Sequence, residues 1–126
     1  MSVSFAMWLI FVDFHAEATS EKVAMSWHLD GRVQILYGTH THVPTADEWV
    51  MPKGLGYVSD LGMSGSMHSV IGVVSENVVK AFTNEERIKF EVAENGPIIA
   101  RALLVEMDKV AKKCVKLERL SMIVAR

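Results

Sequence analysis

Three features of the sequence predict an α/β fold. A continuous apolar run from Ala6 to Phe14 ends at a polar turn, a helix-forming stretch follows, and Val33 to Tyr37 is a second short apolar run. Runs of this kind belong to strands covered on both faces, as in a sheet flanked by helices. From Ile88 onward the pattern changes to strands, which adds a β-rich C-terminal part.

The elements can be justified in order. Trp8 to Phe14 is predicted to be a buried strand, and His15 to Ala18 a loop. Thr19 is a candidate N-cap, and Glu21 in the first turn complements the helix dipole. The helix is expected to run to about Leu29 with Val23, Ala24 and Trp27 on its packed face. Asp30-Gly31 ends it, with Gly31 supplying a left-handed cap. Strand, helix and strand in this order make a right-handed crossover with parallel strands. His15 and the pair His40/His42 then lie just past the carboxyl ends of two strands, the edge where open α/β sheets build their sites.

Residues 43–54 read as a long loop with a turn at Ala46 to Trp49, and Gly56 to Leu61 as a strand. Residues 62–66 form a glycine-rich loop. Ser75 to Phe82 reads as a helix with Ser75 as its N-cap. Ile88 to Ala93, Ile98 to Met107 and Cys114 to Val124 read as strands, the last two joined as a hairpin across Asp108 to Lys113. No repeat, linker or low-complexity tract divides the chain.

Composition narrows the function classes. The chain has 126 residues, half of them hydrophobic and 22% charged, which suits one packed domain and excludes a disordered one. A net charge of −2 offers no general pull toward nucleic acid or an anionic membrane. The N-terminal apolar run lacks a basic flank and is too short to span a bilayer. Cys114 is the single cysteine, so no intrachain disulfide can form, and the expectation is a cytoplasmic protein. Cys114 itself reads as a small core or surface residue.

Chemistry concentrates in the histidines. In an extended segment, residues i and i+2 point the same way, so His40 and His42 in Gly38-Thr39-His40-Thr41-His42 could face one centre. Such a pair alone is weak evidence, and surface or core histidines are the more common reading of it. His15 on the same predicted sheet edge shifts the balance toward a metal, because three buried imidazoles without a role would each need a polar partner. His28 reads as an exposed helix histidine and His68 as a loop histidine. Asp13, Asp47 and Asp60 are candidates for orienting the ligands by hydrogen bonds, or else for capping and solvation roles.

Val12–Lys22 (VDFHAEATSEK), Asp30–Val33 (DGRV) and Gly38–Glu48 (GTHTHVPTADE) resemble the YmdB-type branch of calcineurin-like metallophosphoesterases. Tyr57–Gly65, Ser69–Val73 and Val115–Leu120 resemble it too. The resemblance implies a metal-dependent phosphoesterase, acting on phosphodiesters or phosphomonoesters and in particular on cyclic nucleotides. His15, His40 and His42 match its metal-binding histidines. Two divalent ions are implied, commonly iron or manganese, with zinc or magnesium as alternatives. In such sites the ions stand ~3.5–4 Å apart and activate a water for in-line attack.

The family pattern also includes an aspartate, a Glu-Asn pair and an Asn-His pair, all preceding these blocks. This sequence has no Asn-His dipeptide, and Glu76-Asn77 and Glu94-Asn95 follow the histidine loop. Pro44 stands where a glutamine is usual. The expectation is therefore that residues 1–126 form one partial domain, the C-terminal half of a metallophosphoesterase sandwich. The family's catalytic residues would then lie in an N-terminal half outside this chain, leaving it weakly active or inactive alone. Half a sheet exposes an edge and an apolar face, which predicts a homo-oligomer. The alternatives are a non-catalytic metal-binding or oligomer-forming remnant, and a mononuclear hydrolase built on the three histidines.

Overall fold

The computed structural model describes residues 8–84 and 87–124. Its elements are β1 (Phe11–His15), α1 (Thr19–Leu29), β2 (Ile35–Thr39), β3 (Trp49–Val50), β4 (Gly56–Val58), β5 (Gly65–Ser66), α2 (Ser75–Asn84), β6 (Ile98–Asp108) and β7 (Lys113–Val124). They form a mixed α/β architecture with two sheets. The first has the order β1-β2-β4-β3, with β1, β2 and β4 parallel and β3 antiparallel on the far edge. The second is antiparallel, in the order β5-β6-β7.

The parallel register is Phe11 on Ile35 through His15 on Thr39, as the crossover reading required. The core is small: Leu36, Met51, Leu55 and Tyr57 are buried, and Val12, Phe14, Met25, Leu29 and Val33 pack around them. The hairpin closes against this core where Cys114 N–H donates to the Gly54 carbonyl at 2.9 Å. Cys114 is buried there, beside Gly56. At its tip the Asp108 carboxylate accepts the N–H groups of Val110 and Ala111 at 2.8 and 2.9 Å. A bulge interrupts the β6–β7 ladder between Glu106 and Met107.

Several local expectations are corrected. Strand β1 begins at Phe11, so Trp8 to Ile10 lie outside it, and Ala6 and Met7 fall outside the described residues. It is not buried: among the described residues it has one neighbouring strand, and Phe11 is 53% exposed. The N-cap of α1 is Ala18, without a side-chain cap, so Thr19 is the first helical residue. The packed face of α1 is Lys22, Met25, Ser26 and Leu29, spaced i, i+3, i+4 and i+7. Val23, Ala24 and Trp27 therefore face outward, and Trp27 meets Trp49 edge-on at 6.0 Å. This helix buries an ammonium instead of its valine because a carboxylate waits beneath it, as described below.

The Ala46 to Trp49 turn gives way to β3 at Trp49, and β4 stops at Val58 rather than Leu61. Helix α2 starts on Ser75, one residue earlier than the N-cap reading allowed. Ile88 to Ala93 is not a strand; it makes one bridge, Val92 to Val73, because no neighbouring strand continues the ladder. No helix among the described residues is long and apolar enough to cross a membrane.

Candidate metal centre

The parallel register sets His15 beside Thr39 at the carboxyl ends of β1 and β2. Asp13 precedes His15 by two residues, so both project from the same face of the strand. The Thr39 hydroxyl donates to Asp13 Oδ1 at 2.8 Å. That uses its one proton, so toward His15 Nδ1, 3.0 Å away, the hydroxyl oxygen must accept. The relay fixes the proton on Nδ1 of His15 and leaves the lone pair on Nε2, toward His40. Metal-binding histidines are ordinarily held in this way.

Gly38 precedes this threonine because β2 and the end of β4 are pressed together. A Cβ on Gly38 would stand 1.7 Å from the Ser59 carbonyl oxygen, closer than any contact allows. Past Thr39 the chain bends instead of continuing extended. His40 has φ +119° and His42 φ +65°, both left-handed. The two rings therefore do not share one face as an extended H-x-H segment would. His40 Nδ1 lies 3.2 Å from His15 Nε2, with the rings edge-on at 5.0 Å, and its Nε2 contacts the Glu17 carboxylate. His42 turns the other way, and its Nδ1–H donates to the Ile71 carbonyl at 2.7 Å, leaving Nε2 free to act as a ligand.

Left-handed backbone at a non-glycine residue costs about 1–3 kcal/mol and persists only where surroundings impose it. Here Asp60 imposes it. This carboxylate is 1% exposed and accepts from Lys22 Nζ at 3.0 Å, Thr41 N–H at 3.0 Å and Gly62 N–H at 2.8 Å. Lys22 is equally buried, so the pair is a desolvated ion pair joining α1 to the histidine loop. Burial pushes the Asp60 carboxyl up, but the Gly62 and Thr41 N–H groups and the Lys22 ammonium outweigh it and hold it below the usual carboxylate range. The loop is further tied by Leu61 N–H to the Gly38 carbonyl and by Met63 N–H to the His42 carbonyl, both at 3.0 Å.

The three aspartates singled out in the sequence therefore have different tasks. Asp13 orients His15 through Thr39, and Asp60 holds the loop backbone. Asp47 touches no histidine: it accepts the Ser59 N–H at 3.1 Å and the Ser59 hydroxyl, fixing the residue whose carbonyl meets Gly38. Burial raises its pKa, but the hydroxyls of Ser59 and Thr45 and the Ser59 N–H bring it below the usual range. His28 lies apart, accepting from Arg32 Nη1 at 2.8 Å, and His68 packs against Gly96. Sequence reasoning missed Lys22 and the orienting role of Thr39, and noted Glu17 as a nearby carboxylate without assigning it a contact. A lysine in a helix gives no local sign that it will be buried, whereas the Thr in Asp13-x-His15 … Thr39 becomes visible once the strand register is known.

Whether these groups suit a divalent metal can be judged from the donors. His15 and His42 have tautomers that leave Nε2 available, and His15 and His40 already touch. Yet among the described residues no three His, Cys, Asp or Glu side chains form a ligand group around one point. The donors His15, His40 and His42 are chemically suited to a divalent metal, but the described residues do not complete a site for one.

The sequence profile of the YmdB-like protein family matches residues 3–120. A 2′,3′-cyclic-nucleotide 2′-phosphodiesterase of Bacillus subtilis (strain 168) is 45% identical over 111 residues, covering 88% of this chain and 42% of that protein. A crystal structure described as a novel phosphatase from Mycoplasma pneumoniae superposes with a TM-score of 0.82 at 40% identity, covering 90% of this chain and 40% of that one. That of a hypothetical protein from Thermus thermophilus gives a TM-score of 0.79 at 37% identity, covering 92% of this chain and 45% of that one. The chain thus spans about two fifths of the length of the curated relatives it matches.

Proposed function

The chain belongs to the YmdB-like protein family, and on that premise we propose that it supplies the histidine side of a metal-dependent phosphoesterase centre. The observation that carries the reading is the relay Asp13–Thr39–His15 facing a histidine loop whose left-handed backbone is held by a buried ion pair. A catalytically idle loop would have little reason to keep that strain.

In this reading His15, His40 and His42 hold divalent ions, iron or manganese. When bound, such ions lower the pKa of a coordinated water and offset charge on phosphoryl oxygens. The chain's own residues do the rest. Thr39 and Asp13 keep the His15 proton on Nδ1, so the Nε2 lone pair stays available as a ligand. Asp60 and Lys22 fix the loop carrying His40 and His42. The substrate class is a phosphoester, and the name of the Bacillus relative supports a cyclic nucleotide. The remaining ligands and the proton-transfer groups come from the region of the relatives that this chain does not match. Residues 1–126 then act as one part of a larger catalytic domain in the cytoplasm, and the exposed β1 edge favours association.

A second reading, a non-catalytic metal-binding or oligomer-forming module, is favoured by one observation: the described residues do not close a ligand group by themselves. One experiment separates the two. Metal per chain is measured on protein purified without chelator, beside His40→Ala. Turnover of a 2′,3′-cyclic nucleotide is measured with and without the polypeptide corresponding to the unmatched region of the relatives. Metal lost in His40→Ala, with turnover appearing on addition, is the expected result. A folded mixture that binds metal but never turns over would establish the second reading, and no metal bound by that mixture would refute the first and leave only the oligomer-forming form of the second.

A further inference from the structure

Resting on that phosphoester reading, we infer that the cleft beside the histidine loop seats the organic portion of a nucleotide, with Arg101 as the group that recognises its phosphate. The cleft measures about 370 Å³ and is walled by His42, Val43, Met63, Met67, Ile71 and Arg101, among others. That size is in the range of small-molecule sites, ~300–1,000 Å³. Its walls are mostly apolar, and the two methionines are soft and adaptable enough to lie against a flat ring. His42 ties it to the candidate metal centre: its Nδ1 bonds Ile71 on the cleft wall, and its Nε2 remains free.

Arg101 is the cleft's one guanidinium. It projects from β6, with its backbone N–H held by the Ser64 hydroxyl at 3.0 Å. The side chain is half-buried and lies across Gly62, where an added Cβ would come within 2.7 Å of its Nη1 and of the Pro44 ring. Gly62 has φ +73°, so this position both needs the left-handed backbone and leaves room for the arginine. Among the described residues, acids pair with Lys22, His40, Lys116 and Arg119, and none pairs with Arg101. Among the described residues that leaves the fork open to an anion, and its planar geometry matches two phosphate oxygens. An apolar slot ending in such a fork, beside a metal-facing histidine, has the chemistry of a nucleoside phosphate.

The test uses the chain in excess EDTA, titrated by calorimetry with adenosine 3′-monophosphate, adenosine and inorganic phosphate. Saturable binding of the nucleotide is expected, with adenosine and phosphate each weaker by about tenfold or more. Arg101→Gln should bring the nucleotide down to the level of adenosine, and Arg101→Lys should recover only part of the loss because it restores the charge without the fork. Thermal melts of both variants check folding. The inference is overturned if Arg101→Gln binds the nucleotide as wild type does, if phosphate binds as tightly as the nucleotide, or if the nucleotide does not bind. Because metal is absent, failure of the metal centre leaves this measurement intact. Metal binding and turnover together with an unchanged KM in Arg101→Gln would refute this inference and spare the other.

Discussion

Asp60→Asn should be among the most damaging single-atom changes available in this protein. The substitution leaves one oxygen to serve three donors that now converge on the carboxylate: Lys22 Nζ, Thr41 N–H and Gly62 N–H, at 3.0, 3.0 and 2.8 Å. It also leaves a buried ammonium facing an amide. Breaking one side of a buried ion pair costs about 3–5 kcal/mol. A domain of this length has roughly 6–19 kcal/mol of stability in all, at ~0.05–0.15 kcal/mol per residue. Urea unfolding followed by tryptophan fluorescence would read the loss as a fall in midpoint of about 2 M, for m of ~2 kcal/mol/M. Lys22→Met should partly rescue it, because the double variant no longer buries a lone charge; a coupling of about 2 kcal/mol is expected from the cycle.

The pH dependence supplies an independent sign. The folded Asp60 carboxyl sits below its unfolded value, so its ionised form stabilises the fold. That contribution is whole above the unfolded value near pH 4 and is lost as pH falls through the lower folded value. The stability difference between wild type and Asp60→Asn should shrink across that acid window. A cost under about 1 kcal/mol, no coupling, or a gap that is constant with pH would refute the account of the clamp.

Other predictions follow from the same geometry. Gly38→Ala should prevent stable folding, since its Cβ would overlap the Ser59 carbonyl, and a normal melt would show that β2 and β4 are not packed as described. His40→Gly should be more stable than His40→Ala by about 1 kcal/mol in urea, because glycine accepts φ +119° without strain. Both should lose metal equally, and equal stabilities would show that the loop carries no strain. Thr39→Val should lower metal affinity about 10–100-fold with little change in fold, since it removes the acceptor for His15 Nδ1–H; unchanged affinity would dismiss the relay. Burial pushes the Cys114 thiol up, so iodoacetamide should label it at pH 8 only after denaturation, and rapid labelling of the native chain would contradict its placement.

What the sequence made legible was the part governed by local pattern and by backbone period. The apolar runs before His15 and His40 identified parallel strands, and their common polarity brought the two histidines to one edge. The Asp13-x-His15 spacing placed the orienting carboxylate on the correct face. The illegible parts depended on contacts between distant residues. Lys22 reads as an ordinary surface lysine until Asp60, 38 residues away, is known to lie beneath it. The outward turn of His42 follows from left-handed angles imposed by Asp60 and from an acceptor at Ile71, neither visible in H-x-H spacing. Val23 and Trp27 seemed the natural packed face because apolar residues usually are, and the ion pair reversed that preference. Strand β1 read as buried because an edge strand and a central strand can share one apolar pattern.

The β6–β7 hairpin gives the distant turn a say in recognition. Side chains along a strand alternate faces, so a shift of one residue in pairing would carry Arg101 out of the cleft wall and bring an alanine, Ala100 or Ala102, in its place. The pairing is set at both ends: by the β5 register and the Ser64 hydroxyl beside Arg101, and by the bulge at Glu106/Met107 and the turn gripped by Asp108. Seven residues of extended chain, about 23 Å, separate that turn from the arginine. The exposed Asp108 at the tip thereby shares in holding the register that presents Arg101. Insertions or deletions in the turn would change what the cleft can recognise while leaving each of its loops intact.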